Sequence, residues 1–230
     1  MDTPIFNPFN PDTAIESPLI VTVDIESTDT AVTSKVLTIG AVAGNILTGD
    51  VLGEFYQRID LNSQPERTSS QSTLDFWQDM LTQFPLAHKE CFDPTLERVS
   101  LETALTGFND FVTSMGKFAP AHIQDDKRRD NIHVYGNGPE FDNAILTHAM
   151  DAMGMRTAWK YGANQSLRTA VSMGRLLLGI DPKYTLKFTG EKHHALHDAR
   201  HEWEFHRHIM KAFMERLGIT MAENNTKVAS

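Results

Sequence analysis

Residues 18–26 read Pro18-Leu19-Ile20-Val21-Thr22-Val23-Asp24-Ile25-Glu26. The apolar and β-branched run over residues 19–23 is typical of a strand buried in a sheet. Because successive side chains of a strand point to opposite faces, Asp24 and Glu26 project from the same face near its end. Two carboxylates held so close repel each other unless a divalent cation neutralises them. The stretch therefore predicts a metal site at the end of a core strand, and the alternative is that both acids lie in a solvated turn beyond the strand.

The size of the chain sets the number of domains. With 230 residues, 40% of them hydrophobic, it is long enough for one sizeable α/β core and short for two. Residues 1–17 contain three prolines and no basic residue, which indicates an arm on the surface or a disordered one. We expect a single domain over residues 18–217 and a polar tail over residues 218–230.

Cysteine content and hydropathy bear on the compartment. Cys91 is the lone cysteine, which excludes a disulfide framework within the chain and a cysteine-rich zinc site. No apolar run approaches the length of a membrane span, and the first residues lack the basic and apolar segments of a secretory signal. We expect a protein of the cytoplasm without a membrane partner.

The formal charge of −9 constrains the way in which nucleic acid is bound. Coating a nucleic acid through non-specific phosphate contacts requires a basic face, which this composition disfavours. An enzyme that acts on one strand end is not excluded, because acids that bind cations account for part of the charge and the bound cations reverse its local sign.

Patterns along the chain predict a mixed sheet. Runs at residues 36–44 and 51–60 follow the first strand after turn residues, which predicts an antiparallel meander. A short strand is predicted at residues 132–135. Apolar residues at helical spacing predict helices over about residues 72–84, 101–115, 139–153, 165–178 and 194–217. The order indicates an α/β fold in which helices flank a mixed central sheet with three leading antiparallel strands.

Two further acids lie at predicted helix starts. Asp142 follows Gly136-Asn137-Gly138-Pro139, so it is placed in the first turn of a helix after a strand, beside glycines that allow a ligand to approach the backbone. Asp198 ends the stretch His193-His194-Ala195-Leu196-His197-Asp198. Either acid alone is explained by the favourable position of a carboxylate in a first helical turn. The ordered set is much rarer than any one of its parts.

That set resembles the DEDDh branch of the DEDD 3'-5' exonuclease superfamily. Asp24 and Glu26 correspond to its first motif, Asp142 to its second, and His193 with Asp198 to its third. The order of the motifs, their strand and helix context and the His-x-Ala-x-x-Asp spacing all agree with that branch.

The resemblance extends over residues 19–213 and leaves both ends of the chain outside it. Within the branch the chain is similar to the small RNase-T-like and phage-exonuclease-A-like enzymes. This similarity depends on Thr73-x-x-x-Trp77 and on Leu167-Arg168-Thr169.

The resemblance implies an RNase-H-like fold and a metal-dependent 3'-5' exonuclease. Such an enzyme hydrolyses phosphodiester bonds at the 3' end of single-stranded RNA or DNA and releases nucleoside 5'-monophosphates. Two divalent cations, Mg²⁺ or Mn²⁺, generate hydroxide and stabilise the leaving oxygen in this chemistry. By matching position, Asp24 would bridge both cations, Glu26 and Asp198 would hold the first, and Asp142 would act on the second through a water. His193 would take the proton of the attacking water.

Neighbouring histidines leave the base open on geometry alone. If the helix includes the whole stretch, His194 shares a face with Asp198, whereas His193 lies about 140° around the axis. The family spacing selects His193, in the loop before the helix, and His194 is the alternative. His197 and His201, four residues apart, fit half of a zinc site, and surface or packing roles are the alternative for both.

Five residues are candidates for contacts with the substrate. Trp77 is placed to stack on a terminal base, although a tryptophan on an apolar stripe also suits the core. Ser27 and Asn137 are candidates for bonds to the terminal sugar or phosphate. Phe141 is a candidate wedge against bases, and Arg168 a candidate phosphate contact.

The sequence also allows two other classes of function. One is a catalytically idle RNase-H-like module that binds nucleic acid or a protein, which the intact motif set disfavours. The other is a zinc-binding structural domain. The choice between RNA and DNA depends on contacts to the 2'-hydroxyl, which spacing does not reveal. The RNase-T-like resemblance favours RNA, the phage-type similarity favours DNA, and a homodimer is left open.

Overall fold

A five-stranded mixed sheet forms the centre of the protein, which a computed structural model describes over residues 14–219. Its strands are β1 (Leu19–Ser27), β2 (Val36–Asn45), β3 (Asp50–Arg58), β4 (His133–Gly136) and β5 (Asn164–Ser166). They lie in the order β3-β2-β1-β4-β5, with β1, β2 and β3 antiparallel and with β4 and β5 parallel to β1. The predicted meander and mixed sheet are confirmed.

Eight α-helices flank the sheet within the described residues. They are α1 (Gln71–Gln83), α2 (Pro85–Phe92), α3 (Leu101–Gly116), α4 (Ala121–Gln124), α5 (Asp142–Ala152), α6 (Leu167–Met173), α7 (Pro182–Thr185) and α8 (Ala195–Arg216). Serine caps begin two of them, because Ser70 accepts the N–H of Thr73 in α1 and Ser100 accepts that of Thr103 in α3.

The two faces of β1 are covered by different helices. Odd-numbered side chains such as Val21 pack into the main core with α3 and α5. On the other face, Ile20 packs with Trp203 of α8. The alternation of a strand therefore turns Asp24 and Glu26 towards α8.

The start of α8 lies directly on the sheet at Gly40. In the β1–β2 register Gly40 is opposite Asp24. A β-carbon at Gly40 would overlap the backbone of Ala195 and Leu196. Only glycine allows this approach, which brings the first turn of α8 over the end of β1.

The structure differs from the predicted helix over residues 165–178. That stretch begins in the short strand β5, continues as α6 and ends in a turn of wider π-helix over Gly174–Leu178. Helix α2 was not predicted, although Pro85 occupies its first turn, where proline is favoured.

The predicted arm and tail lie largely outside the described residues. Ser17, the last residue of the predicted arm, donates its hydroxyl to the carbonyl of Asn131 at 2.6 Å. No helix within residues 14–219 has the length and apolar character needed to cross a membrane.

Candidate active site

Three carboxylates converge where β1 meets the start of α8. Ligand oxygens of Asp24, Glu26 and Asp198 all lie within 4.8 Å of one another. Asp24 and Glu26 come from β1, and Asp198 comes from the first turn of α8. Oxygen atoms in this arrangement suit a hard divalent cation such as Mg²⁺ or Mn²⁺.

Asp142 joins this cluster from the start of α5. Its side chain is only 2% exposed. Its Oδ1 accepts the backbone N–H of Ile25, between the two acids of β1, at 3.2 Å. All four predicted acids therefore meet at one place, although Asp142 is far from the others in the sequence.

The electrostatics of the cluster oppose its full ionisation. Burial raises the pKa of Asp24 and of Glu26 well above the ordinary values, and the neighbouring carboxylates raise both further. Burial also raises the pKa of Asp142 to about 7 and that of Asp198 to about 6. One oxygen of Asp198 is buried without a hydrogen-bond partner. These carboxylates fit a bound cation, which would replace protons as their counter-charge.

Glu202 is a fifth acid at the cluster that we did not predict. It lies one turn after Asp198 on α8, is 5% exposed, and has one oxygen buried without a hydrogen-bond partner. Burial raises its pKa well above the ordinary value, and the charges of Asp142 and Asp198 add to this. The i, i+4 spacing from Asp198 is the sequence signal that points to it.

His193 and His194 point to different surroundings. His193 is the only non-glycine residue with a positive φ, 61°, among the described residues. Its ring lies edge-on to Phe76 and Phe84, at 5.1 Å from each. His194 is 8% exposed, with its ring stacked against Tyr56 at 4.8 Å and His197 at 3.9 Å. His194 is therefore enclosed by packing contacts.

The structure does not support the zinc interpretation of His197 and His201. Nδ1 of His197 accepts the N–H of Glu191 at 3.1 Å, and Nε2 of His201 lies 3.1 Å from the carbonyl oxygen of Lys183. Within the part of the chain that the structure describes, the cluster around Asp24 is the one group of three or more ligands able to share an ion. Both histidines have packing and hydrogen-bonding roles instead.

A pocket of about 320 Å³ opens beside Glu26. Its walls combine hydroxyl groups with aromatic rings, and the residues that line it are Ile25, Glu26, Ser27, Asp29, Thr30, Ser72, Thr73, Phe76, Trp77 and Phe141. Three of the five predicted contact residues, Ser27, Trp77 and Phe141, line this pocket. Of these, Trp77 packs mainly in the core.

The prediction that Trp77 stacks on a base requires correction. Its ring is only 2% exposed, and its Nε1 donates to the carbonyl of Ser27 at 2.9 Å. Phe92 contacts it edge-on at 5.5 Å. The preceding residue, Phe76, is 37% exposed and presents its ring to the pocket.

Asn137 and Arg168 do not line this pocket. Oδ1 of Asn137 accepts from Nζ of Lys183 at 2.9 Å. Arg168 pairs with Glu140 at 2.6 Å, and both side chains are more than 60% exposed. Such an exposed pair contributes little to stability, typically below about 1 kcal/mol, so the guanidinium exchanges partners readily. Lys183 is a nearby cation that we did not predict.

Comparison with known proteins identifies the family of this chain. A family model described as the 3'-5' exoribonuclease Rv2179c-like domain matches residues 20–210. The chain belongs to this family and is a 3'-5' exonuclease. This agrees with the activity that the resemblance of its motifs to the DEDDh branch implies. No curated protein matches the chain.

Solved structures show the same fold at low identity. The nuclease domain of 3'hExo, a DEDDh family member solved with bound rAMP, is 13% identical with a TM-score of 0.53, and the match covers 90% of this chain and 96% of that one. Cell-death related nuclease 4 (CRN-4) is 14% identical with a TM-score of 0.55, over 87% of this chain and 64% of that one. E. coli exonuclease I in complex with a dT13 oligonucleotide is 10% identical with a TM-score of 0.55, over 87% of this chain and 42% of that one.

Proposed function

We propose that this protein is a cation-dependent 3'-5' exoribonuclease that removes nucleoside 5'-monophosphates one at a time from single-stranded 3' ends. The observation that supports this most strongly is the meeting of Asp24, Glu26 and Asp198 within 4.8 Å, with Asp142 bonded to the strand between the first two. A catalytically idle binding module has no need for buried, unneutralised carboxylates, which are costly to maintain.

Each acid has a proposed role. Two divalent cations, when bound, supply a hydroxide nucleophile and stabilise the leaving 3' oxygen. Asp24 would help to hold both cations, Glu26 and Asp198 would help to hold the first, and Asp142 would act on the second through a water. His193 accepts the proton of the attacking water. Burial lowers the pKa of His193, so the ring is neutral and able to accept a proton at pH 7.

The pocket beside Glu26 is the proposed site of the terminal nucleotide. Phe76 and Phe141 provide apolar walls for a base, and such contacts are tolerant of sequence. Ser27 is a candidate for a bond to the sugar. Outside this pocket, Arg168, Asn137 and Lys183 are candidates for phosphate contacts, which would reduce the repulsion between an anionic strand and an acidic protein.

RNA is the proposed substrate and DNA the second candidate. The description of the matching family as an exoribonuclease supports RNA. DNA is the second candidate because E. coli exonuclease I, which shares the fold, was solved with a DNA oligonucleotide.

The test uses 5'-labelled RNA and DNA strands of one sequence with Mg²⁺, Mn²⁺ or EDTA. We expect a ladder that shortens from the 3' end, faster on RNA, with nucleoside 5'-monophosphates as products. EDTA and Asp24→Ala should abolish the ladder, because each removes a part of the cation site. Asp110→Ala, which changes an exposed acid of α3, is the matched control and should retain full activity. Products with 3'-phosphates, or cleavage that resists EDTA, would contradict the proposal.

A further inference from the structure

The loop before α8 has a positive φ at two positions, which is unfavourable only at the one that is not glycine. Gly190 has a φ of 100° and His193 a φ of 61°. The left-handed conformation is unfavourable for a non-glycine residue such as His193. Contacts elsewhere in the loop must therefore offset this cost and hold His193 in place.

Glu191 supplies such a contact, at the start of α2. Its Oε1 accepts the N–H of Ala87 at 2.8 Å. The residue at the cap position of α2 is Phe84, whose side chain has no acceptor, and Pro85 follows it. Glu191 thus replaces the missing cap from a distant part of the chain, and its negative charge suits a helix N-terminus.

The backbone of Glu191 makes a second contact, to α8. The backbone N–H of Glu191 donates to Nδ1 of His197 in the first turn of α8, at 3.1 Å. Glu191 is therefore attached to two helices, through its side chain to α2 and through its backbone to α8.

His193 lies against the same end of α2. Its ring is edge-on to Phe84, the cap residue, at 5.1 Å, and edge-on to Phe76 of α1 at the same distance. The carboxylate of Glu191 and the ring of His193 thus both contact the junction between α1 and α2. Displacement of the loop from this junction would move the ring away from the pocket wall at Phe76.

We propose that Glu191 is a positioning residue, which holds His193 in its place for proton transfer by capping α2 from the loop. The inference rests on the proposed role of His193 as the base. A general base contributes about 10²–10⁴-fold to a rate, and a misplacement of about 1 Å costs up to about 10²-fold. Loss of the cap alone would also lower the stability of the protein, which the Tm measures.

The first test measures kcat, KM and Tm of single variants on the RNA strand. Glu191→Ala should lower kcat about 10- to 100-fold with a smaller change in KM, because the base moves while the nucleotide pocket stays. Glu191→Gln should keep kcat within about threefold, since its carbonyl still accepts the N–H of Ala87. Glu191→Met, which keeps the bulk of the side chain without an acceptor, should behave like Glu191→Ala.

Ser100→Ala is the control for stability. It removes the cap of α3, where Ser100 accepts the N–H of Thr103 at 3.1 Å, and it leaves the loop untouched. Tm should fall by a similar amount as in Glu191→Ala, while kcat stays unchanged. A fall in kcat as large as that of Glu191→Ala would show that lost stability explains the effect, and it would overturn the inference.

The second test is a double-mutant cycle with His193→Ala. If Glu191 acts through His193, Glu191→Ala should cause no further fall in kcat when His193 is already alanine. An equal fall in both backgrounds would overturn the positioning role and leave the proposed function intact. If His193→Ala alone leaves kcat unchanged, the proposed role of His193 fails, and the inference fails with it.

Discussion

Glu202 adds a further carboxyl group to the cluster of Asp24, Asp142 and Asp198, whose charges already repel one another. It shares a face of α8 with Asp198, and its charge also raises the pKa of Asp24. Without a cation, each additional carboxylate makes the folded protein less stable. With a cation present, the same carboxylate strengthens the attraction between the protein and the ion.

Glu202→Gln separates these two effects. In EDTA at pH 8 the substitution should raise Tm by about 3 °C or more, because the folded state no longer has to protonate a buried carboxylate or bury its charge. It should also weaken the binding of Mn²⁺ about fivefold, measured by calorimetry, through the loss of Coulomb attraction.

The matched control is Glu204→Gln, two residues along α8. Its side chain is 46% exposed and lies 3.4 Å from Arg207. Neither Tm nor the affinity for Mn²⁺ should change in this variant. An unchanged affinity in Glu202→Gln as well would show that Glu202 does not act on the cation.

Single residues were predictable where a strong local rule applied. The alternation of a strand placed Asp24 and Glu26 on one face, and the structure has them there. For Phe76 and Trp77 no such rule applied, because the helical spacing of apolar residues on α1 does not show which of two neighbouring rings faces a pocket. Trp77 fills the core, and Phe76 lies at the opening because α2 covers the other side of α1.

At the scale of elements, the approach of α8 to β2 is the contact that assembles the site. Gly40 allows the first turn of α8 to rest on the sheet opposite Asp24. That turn carries Asp198, and the loop before it carries His193. The position of a single helix therefore determines two of the proposed functional groups.

Gly40→Ala should damage both stability and catalysis. The added methyl group meets backbone, which cannot rotate away, so the free energy of unfolding should fall by about 2 kcal/mol or more and Tm by about 4–8 °C. Displacement of Asp198 should lower kcat about tenfold or more. Thermal melts and the RNA assay measure both effects.

Gly162→Ala is the control for that substitution. The nearest atom to a β-carbon at Gly162 is Oδ2 of Asp130 at 4.0 Å, which is ordinary contact distance. Both Tm and kcat should stay at their original values. If Gly40→Ala also leaves them unchanged, close approach at this point is not what positions α8.

Elements with a clear period were predictable, and short polar ones were not. The apolar runs of β1 and β2 and the long stripe of α8 gave bounds within one or two residues. The strand β5 consists of Asn164, Gln165 and Ser166, which have no alternation, and it exists because it pairs with β4. Tertiary pairing of this kind cannot be read from local sequence.

At the scale of the whole molecule, the acid cluster makes the free energy of unfolding depend on pH. The folded state keeps protons on Asp142, with a pKa raised to about 7, and on other cluster acids whose pKa is raised well above the ordinary value. The unfolded chain gives up these protons near pH 4. The folded state therefore binds more protons above that pH, and stability falls as pH rises.

In EDTA, Tm should accordingly fall between pH 6.5 and pH 8.5, by about 4–8 °C for a loss of about 2 kcal/mol. Below this window His206 acts in the opposite sense, because burial lowers its pKa to about 4. Excess Mg²⁺ should remove most of the fall, since a cation that binds only the folded state stabilises it. Thermal melts over this range, with and without Mg²⁺, test the expectation. A flat profile in EDTA would contradict it.

The parts of the cation site come from opposite ends of the domain, since β1 is its first strand and α8 its last helix. During synthesis the ribosome releases Asp24 long before Asp198. A nascent chain therefore cannot assemble the full set of ligands until nearly all of the domain has been made.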